Sequence, residues 1–308
     1  MALEQFRACF DAHVTFLNGG DLRARDFRVD LADEHAIEGE VAELFLRSLR
    51  LLMVERVEIT NLRVVRDAHK GTHGGPSDAP RANSRRRLVE LSHVIHAGMT
   101  TYPGLPVPSI SSHLSREDSR AIYAPGTEFA IDAITMVGNT GTYLDSPYHR
   151  YAEGTDLAGL ALESLVELPA VVVRTRGSVS RAIDVAALAP FDVAGAAVLL
   201  HTGADVHWGT RAYTVDAPFL TEAAARWLVG QGARLVGIDA LNIDDTQSGG
   251  ARPAHGVLLA AKVPIVEHLT GLEQVPPTGA LFSAAPARVA RFGTFPVRAY
   301  ASIPDDAA

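Results

Sequence analysis

Cysteine is almost missing from this chain: Cys9 is the only one in 308 residues. A lone thiol closes no internal disulfide, and no cysteine pair exists to hold zinc. Positive charge is also in short supply. With 28 Lys and Arg against 36 Asp and Glu, the net charge of −8 offers no basic footprint for nucleic acid and no polybasic surface for anionic lipid. No uninterrupted apolar run approaches the roughly 20 residues that span a bilayer. The opening MALEQFRACFDAHV carries an early Glu and lacks a cationic leader ahead of an apolar core, so no secretory signal is expected. These absences point to a cytoplasmic protein with neither nucleic acid nor membrane as a partner.

What is present is ordinary for a globular protein, with 47% apolar and 21% charged residues. The length suits two domains, or one large domain with an extension. Residues 70–87, KGTHGGPSDAPRANSRRR, are rich in Gly, Pro, Ser and Arg and nearly devoid of apolar side chains, which is the composition of a solvated linker. They separate a small α+β extension, residues 1–69, from a main domain, residues 88–308. In the extension, Phe6, Phe10, His13, Val14 and Leu17 fall at helical spacing and stop at Gly19-Gly20, which predicts a helix. Leu44, Phe45, Leu49, Leu52 and Met53 predict a second helix, with Glu38, Glu40 and Glu43 near its start. Residues 54–67 alternate apolar with charged or polar side chains, as a strand with one wet face does.

The main domain reads differently. Ala170–Val173, Ala197–Leu200 and Leu235–Ile238 are short apolar runs expected to form buried strands of a mixed or parallel sheet. Residues 221–230 read as a helix, with Thr221 as its cap and Gly230 as its terminator. Alternating β and α segments predict an α/β fold.

Two stretches could carry chemistry. In Asn139-Thr140-Gly141-Thr142-Tyr143-Leu144-Asp145-Ser146-Pro147-Tyr148-His149, an extended backbone sets Tyr143 and Asp145 on one face. Pro147 ends the ladder and leaves His149 at a loop mouth. A carboxylate and a histidine leaving a strand four residues apart suit metal binding or acid–base work. They suit a polar strand end with a hydrogen-bonded histidine equally well. Farther along, His255 and Glu267 stand in Arg252-Pro253-Ala254-His255-Gly256 and Pro264-Ile265-Val266-Glu267-His268.

Read together, residues 88–301 resemble the cyclase/kynurenine formamidase family of metal-dependent hydrolases, which also includes isatin hydrolase. Leu91-Ser92-His93 and Thr101-Tyr102-Pro103-Gly104 look like that family's opening strand and aromatic-Pro-Gly turn. The signature His-x-Gly-Thr-His-x-Asp-x-Pro-x-His is matched at Gly141, Thr142, Asp145, Pro147 and His149. The resemblance implies a main domain of the swivelling β/β/α type and a homodimer or homotetramer. It implies metal ligation by Asp145, His255 and Glu267, and an acid/base role for His149. Such a metal lowers the pKa of bound water to about 7 and polarises a carbonyl.

Asn139 and Tyr143 depart from the pattern, for the family has histidine at both positions. An amide oxygen or a neutral phenol is a poor zinc ligand beside imidazole. Three readings stay open. One is a hydrolase or cyclase with a single Zn²⁺ or Mn²⁺, acting at the carbonyl of an amide, lactam or lactone in a small cyclic or aromatic molecule. Another is a cyclase, dehydratase or isomerase that binds no metal and uses Tyr143, Asp145, His149 and Glu267. The third is a non-catalytic small-molecule binder. Asn139, Trp208 and Tyr102 are the candidates for substrate contact, Trp208 by stacking on a ring. His268 reads as structural; Asp239, Asp244 and Asp245 suit either support of the site's ligands or a turn, and Asn242-Ile243-Asp244-Asp245 reads more readily as a turn. His69 and His73 repeat half of the signature inside the linker, a poor place to fix coordination geometry.

Overall fold

In a computed structural model of the chain, residues 6–17, 21–31, 35, 37–49, 51, 54–66 and 86–304 are described. The chain divides into two compact units, residues 1–83 and 84–308. The His69 and His73 pair, and residues 70–85 of the expected linker, lie outside the described residues.

The first unit is built from β1 (Phe6–Phe16), β2 (Asp21–Leu31), α1 (Glu38–Ser48) and β3 (Val54–Arg66). Its antiparallel sheet has the order β2-β1-β3. The expected helix over the first segment is therefore a strand. Phe6, Phe10 and Val14 are four residues apart, a spacing that satisfies a helix and also the even positions of a strand. Ala8 and Ala12 complete the even positions, and Ala8, Phe10, Ala12 and Val14 are all buried. Phe10, Phe27 and Phe45 close the core over that face, with ring centroids 4.9–5.9 Å apart. The expected second helix is found as α1, which ends at Ser48 with Leu49 as its cap, while Leu52 and Met53 lie outside the described residues; the strand after it is β3.

The second unit is α/β. Its elements are β4 (Arg86–Glu90), β5 (Ser109–Leu114), α2 (Arg116–Ser119), β6 (Ile131–Thr135), β7 (Tyr143–Asp145), β8 (Leu168–Arg174), β9 (Ala182–Ile183), α3 (Val185–Leu188), β10 (Ala197–His201), β11 (Phe219–Leu220), α4 (Glu222–Gly230), β12 (Leu235–Ile238), α5 (Pro253–Ala260), β13 (Ile265–Glu267), β14 (Leu281–Ser283), β15 (Thr294–Pro296) and β16 (Tyr300–Pro304). Nine strands form one sheet in the order β15-β7-β13-β12-β10-β8-β14-β16-β4. The inner strands β13, β12, β10 and β8 run parallel, and antiparallel strands flank them on both sides. β4 starts at Arg86, inside the stretch expected to be linker. It is an edge strand with mostly exposed side chains, a place where arginine is tolerated.

Alternation along the inner strands fills two cores. Ala170, Val172, Ala197, Leu199, Leu144 and Val266 pack on one face. Val171, Val173, Val198, Leu200, Val236, Ile238 and Ile265 pack on the other, beneath Ala224, Ala225 and Leu228 of α4 and Ala254 and Leu258 of α5. Burial on both faces explains why β8, β10 and β12 read as continuous apolar runs. The Thr221 side chain accepts the Ala224 N–H and caps α4, an interaction worth about 1 kcal/mol. The left-handed residue that ends this helix is Gly232 at φ +80°, two positions beyond the expected Gly230. Among the described residues, no helix is long and apolar enough to cross a membrane.

Candidate active site

The site sits on the helix-covered face of the sheet near its β15 edge. Ile265 of β13 belongs to the core under the helices, so Glu267, two residues on, faces the same way. Register then sets the neighbours: Tyr143 pairs with Glu267 and Asp145 with Ile265 across β7–β13, while Thr294 pairs with Asp145 across β7–β15. α5 lies over this end of the sheet and brings down His255. Asp145, Glu267, Tyr143 and His255 are all buried.

Asp145 is the centre. The Thr294 hydroxyl donates to its Oδ1. Its Oδ2 is buried and has no hydrogen bond, with His255 Nε2 at 3.5 Å. Burial alone would raise this carboxyl, but His255, His149 and Thr294 bring it below the usual carboxylate value. His149 leaves β7 in a 3-10 turn, Pro147–His149, and its Nδ1 lies 2.7 Å from Thr294 Oγ1. The threonine has one hydroxyl proton and gives it to Asp145, so it accepts the Nδ1–H of His149. The tautomer is thereby set, leaving Nε2 of a partly exposed imidazole free to take a proton. Gly293 permits this approach, for a Cβ there would stand 2.6 Å from His149 Cα.

His255 is held from behind. Its Nδ1–H donates to Asp244 at 2.7 Å, and the same carboxylate accepts the backbone N–H groups of Ala254 and His255 at the start of α5. Asp244 therefore serves the helix end and the histidine together. Burial works against charge on His255, but the Asp145 and Asp244 carboxylates, with Glu267, outweigh it and hold the imidazole up to about 10. Glu267 accepts the Tyr143 hydroxyl at 2.6 Å on Oε2 and the Ile243 N–H at 2.7 Å on Oε1. Its carboxyl is pushed above the usual range by burial, opposed by His255 and reinforced by Asp145. The Tyr143 phenol is pushed well above its ordinary value, chiefly by burial and then by the neighbouring carboxylates.

These groups open onto a cavity of about 280 Å³ lined by Asn139, Tyr143, His149, Arg150, Asn242, Arg252, His255 and Glu267. Asp145, His149 and His255 each present a ligand atom, all within 4.8 Å of one another. The free Oδ2 of Asp145 and the His255 imidazole beside it suit one divalent ion. Glu267 stands beside that trio, 3.6 Å from His255 Nε2, with both oxygens engaged by Tyr143 and Ile243. The Tyr143 hydroxyl, spent on Glu267 and neutral, is not a metal ligand here.

Of the expected substrate contacts, only Asn139 lines this cavity. Trp208 stacks on His93 at 3.9 Å between ring centroids and lines a separate cavity of about 670 Å³. Tyr102 packs with Trp208 against Tyr213, Ala217 and Leu241, and begins the expected turn, closed by Leu105 N–H to Tyr102 O with Gly104 at φ +89°. His268 is buried and meets Tyr213 OH through Nδ1 at 2.8 Å. Sequence reasoning missed Thr294, Arg150 and Arg252 as site residues, and for Asp244 it preferred a turn over the supporting role that the structure gives it. Asp244 carried one usable signal, a carboxylate upstream of a helix opened by Pro253.

Residues 89–245 match the Cyclase family, described as "Putative cyclase". The chain belongs to the cyclase family. It is similar to the kynurenine formamidase of Bordetella avium, 31% identical over 224 residues, 70% of this chain and 97% of the relative. Among solved structures, isatin hydrolase A from Labrenzia aggregata bound to benzyl benzoate superposes at TM-score 0.63 with 23% identity, over 73% of this chain and 96% of that one. A structure described as a potential metal-dependent hydrolase with cyclase activity matches at TM-score 0.58 and 27% identity, over 70% of this chain and 98% of that one. The cyclase-family chain is thus placed among hydrolases in sequence and in fold.

Proposed function

We propose that this cyclase-family hydrolase cleaves the carbonyl–nitrogen bond of a small amide, a formamide or lactam on a ring, with water as nucleophile. The observation that carries the reading is the His149–Thr294–Asp145 chain, which leaves one imidazole nitrogen free at a cavity that His255 and the buried Glu267 also line. The kynurenine formamidase relatives favour an amide over an ester.

Asp145 and His255, with Glu267 beside them, would hold one divalent ion, Zn²⁺ or Mn²⁺. Such an ion supplies Lewis acidity at the carbonyl and a more acidic water. His149 takes the proton of the attacking water on Nε2 and returns it to the leaving nitrogen. Thr294 and Asp145 keep its ring in place and favour the imidazolium that forms. Tyr143 and Asn139 present hydroxyl and amide groups to the substrate side, where two histidines would otherwise stand.

One observation favours a second reading without metal. His255 Nε2 lies 3.5 Å from Asp145 and 3.6 Å from Glu267, so a protonated His255 is matched by charge on its own. The deciding experiment is metal analysis of purified protein, with turnover of an aryl formamide followed before and after chelation. One equivalent of metal and activity lost on chelation, regained with Zn²⁺ or Mn²⁺, is the expected result. Full activity with no bound metal sinks the metal reading and leaves the acid–base cluster. In either case Asp145→Ala and His149→Ala lose nearly all turnover while remaining folded, and near-normal rates in either would overturn the assignment of roles.

A further inference from the structure

Two arginines frame the mouth of the catalytic cavity, and no ion pair accounts for them. Arg150 follows His149, and Arg252 immediately precedes α5; both line the cavity. The Arg150 guanidinium lies along α5 where Gly256 offers no side chain, for a Cβ there would sit 3.5 Å from Nε and 3.7 Å from Nη2. Its underside covers the Tyr151 ring at 5.8 Å, and the Tyr151 hydroxyl pins this loop to α5 through the Gly256 carbonyl at 2.9 Å. Arg252 Nη1 donates to the Ala251 carbonyl at 2.8 Å. Among the described residues, neither guanidinium forms an ion pair with a carboxylate, whereas Arg181 and Arg226 are paired with Asp245 and Glu222.

The acids around the cavity are engaged by other groups, and Arg252 acts only at longer range on Asp245, which Arg181 already pairs. Asp145 faces His149 and His255, Asp244 holds His255, and Glu267 is taken by Tyr143 and Ile243. A guanidinium carries a fixed charge and five donors suited to a planar or tetrahedral oxyanion. Two of them at the rim of a cavity raise the local concentration of anions.

We propose that the substrate carries an anionic group, a carboxylate or a phosphate, outside the bond that is broken, and that Arg150 and Arg252 bind it at the rim while the reacting carbonyl lies beside His149. The proposal rests on the hydrolase reading above and deepens it by naming the substrate class. A cavity of about 280 Å³ restricts the body of that substrate to a small ring or short chain.

The test is equilibrium binding of three probes to the full chain: 2-aminobenzoate, phenyl phosphate and neutral 2-aminobenzamide. One of the two anions should bind at least tenfold more tightly than the amide, and which one does so names the group. Arg150→Gln and Arg252→Gln should each cut that preference by about tenfold with thermal stability unchanged, and added salt should erode it. Equal binding of anion and amide, no binding of either anion, or preference intact in both variants overturns the proposal. Turnover is not needed for this readout. A protein with the arginine-dependent preference that hydrolyses no amide therefore refutes the hydrolase reading and leaves the rim assignment standing.

Discussion

Thr294 shows how one side chain decides what its neighbours can do. Its single hydroxyl proton goes to Asp145, so its lone pair takes the Nδ1–H of His149, and the direction of both hydrogen bonds follows. Thr294→Val keeps the shape of the residue and removes the link. The expected result is a fall in kcat of about tenfold to a hundredfold with little change in KM, recovered largely by Thr294→Ser. Equal rates in the valine variant and the parent would remove the threonine from the proton path. His268 acts on stability instead. Burial, with His93 nearby and Asp145 opposing, lowers its pKa to about 3, against about 6.5 for an unfolded histidine. Between those values the unfolded chain holds a proton that the folded chain does not, so stability falls as pH drops through this window. Melting temperatures taken at about pH 7 and about pH 5 should fall less in His268→Gln than in the parent, and an unchanged decline would show that another group carries it.

At the scale of elements, legibility followed from how many faces of a segment are buried. β8, β10 and β12 are covered on both sides and declare themselves as apolar runs. β7 was legible as a strand end because Asp145 and His149 leave it four residues apart, with Pro147 between them. The first segment was not, because four-residue spacing of Phe6, Phe10 and Val14 fits two periodicities and only the small Ala8 and Ala12 break the tie. Thr294 gave no signal at all: it is one threonine whose meaning comes from lying opposite Asp145 in the register of β15 on β7. Asp244 was legible only as one of two alternatives, since Asn242, Asp244 and Asp245 make a turn-like composition while Asp244 alone is spent on α5. Asp244→Asn puts an amide N–H₂ against backbone N–H donors and loosens His255. It should cost about 1–2 kcal/mol of stability and tenfold or more in activity or metal affinity. Asp245→Asn, which breaks only the partly exposed pair with Arg181, should leave activity within about twofold. Similar losses in the two variants would mean that Asp244 does no more than hold the loop.

For the whole molecule, the question is how much of the chain the chemistry needs. Asn139, Tyr143, Asp145, His149, Asp244, His255, Glu267 and Thr294 all fall within residues 84–308, as do both cores of the large sheet. The first unit has its own core, centred on Phe10 and Phe45. Its three strands and one helix make a small core with a correspondingly small margin of stability, while the second unit buries two layers around nine strands. A chain starting at Ser84 keeps β4 whole, and β4 closes the far edge of the sheet on β16. Such a chain should therefore melt in one cooperative transition and retain kcat/KM for an aryl formamide within about threefold of the full chain, since every residue assigned to the chemistry is kept. Should the shortened chain fold with the same melting profile and yet lose turnover, residues 1–83 would have to supply the site with something beyond the side chains that surround it here.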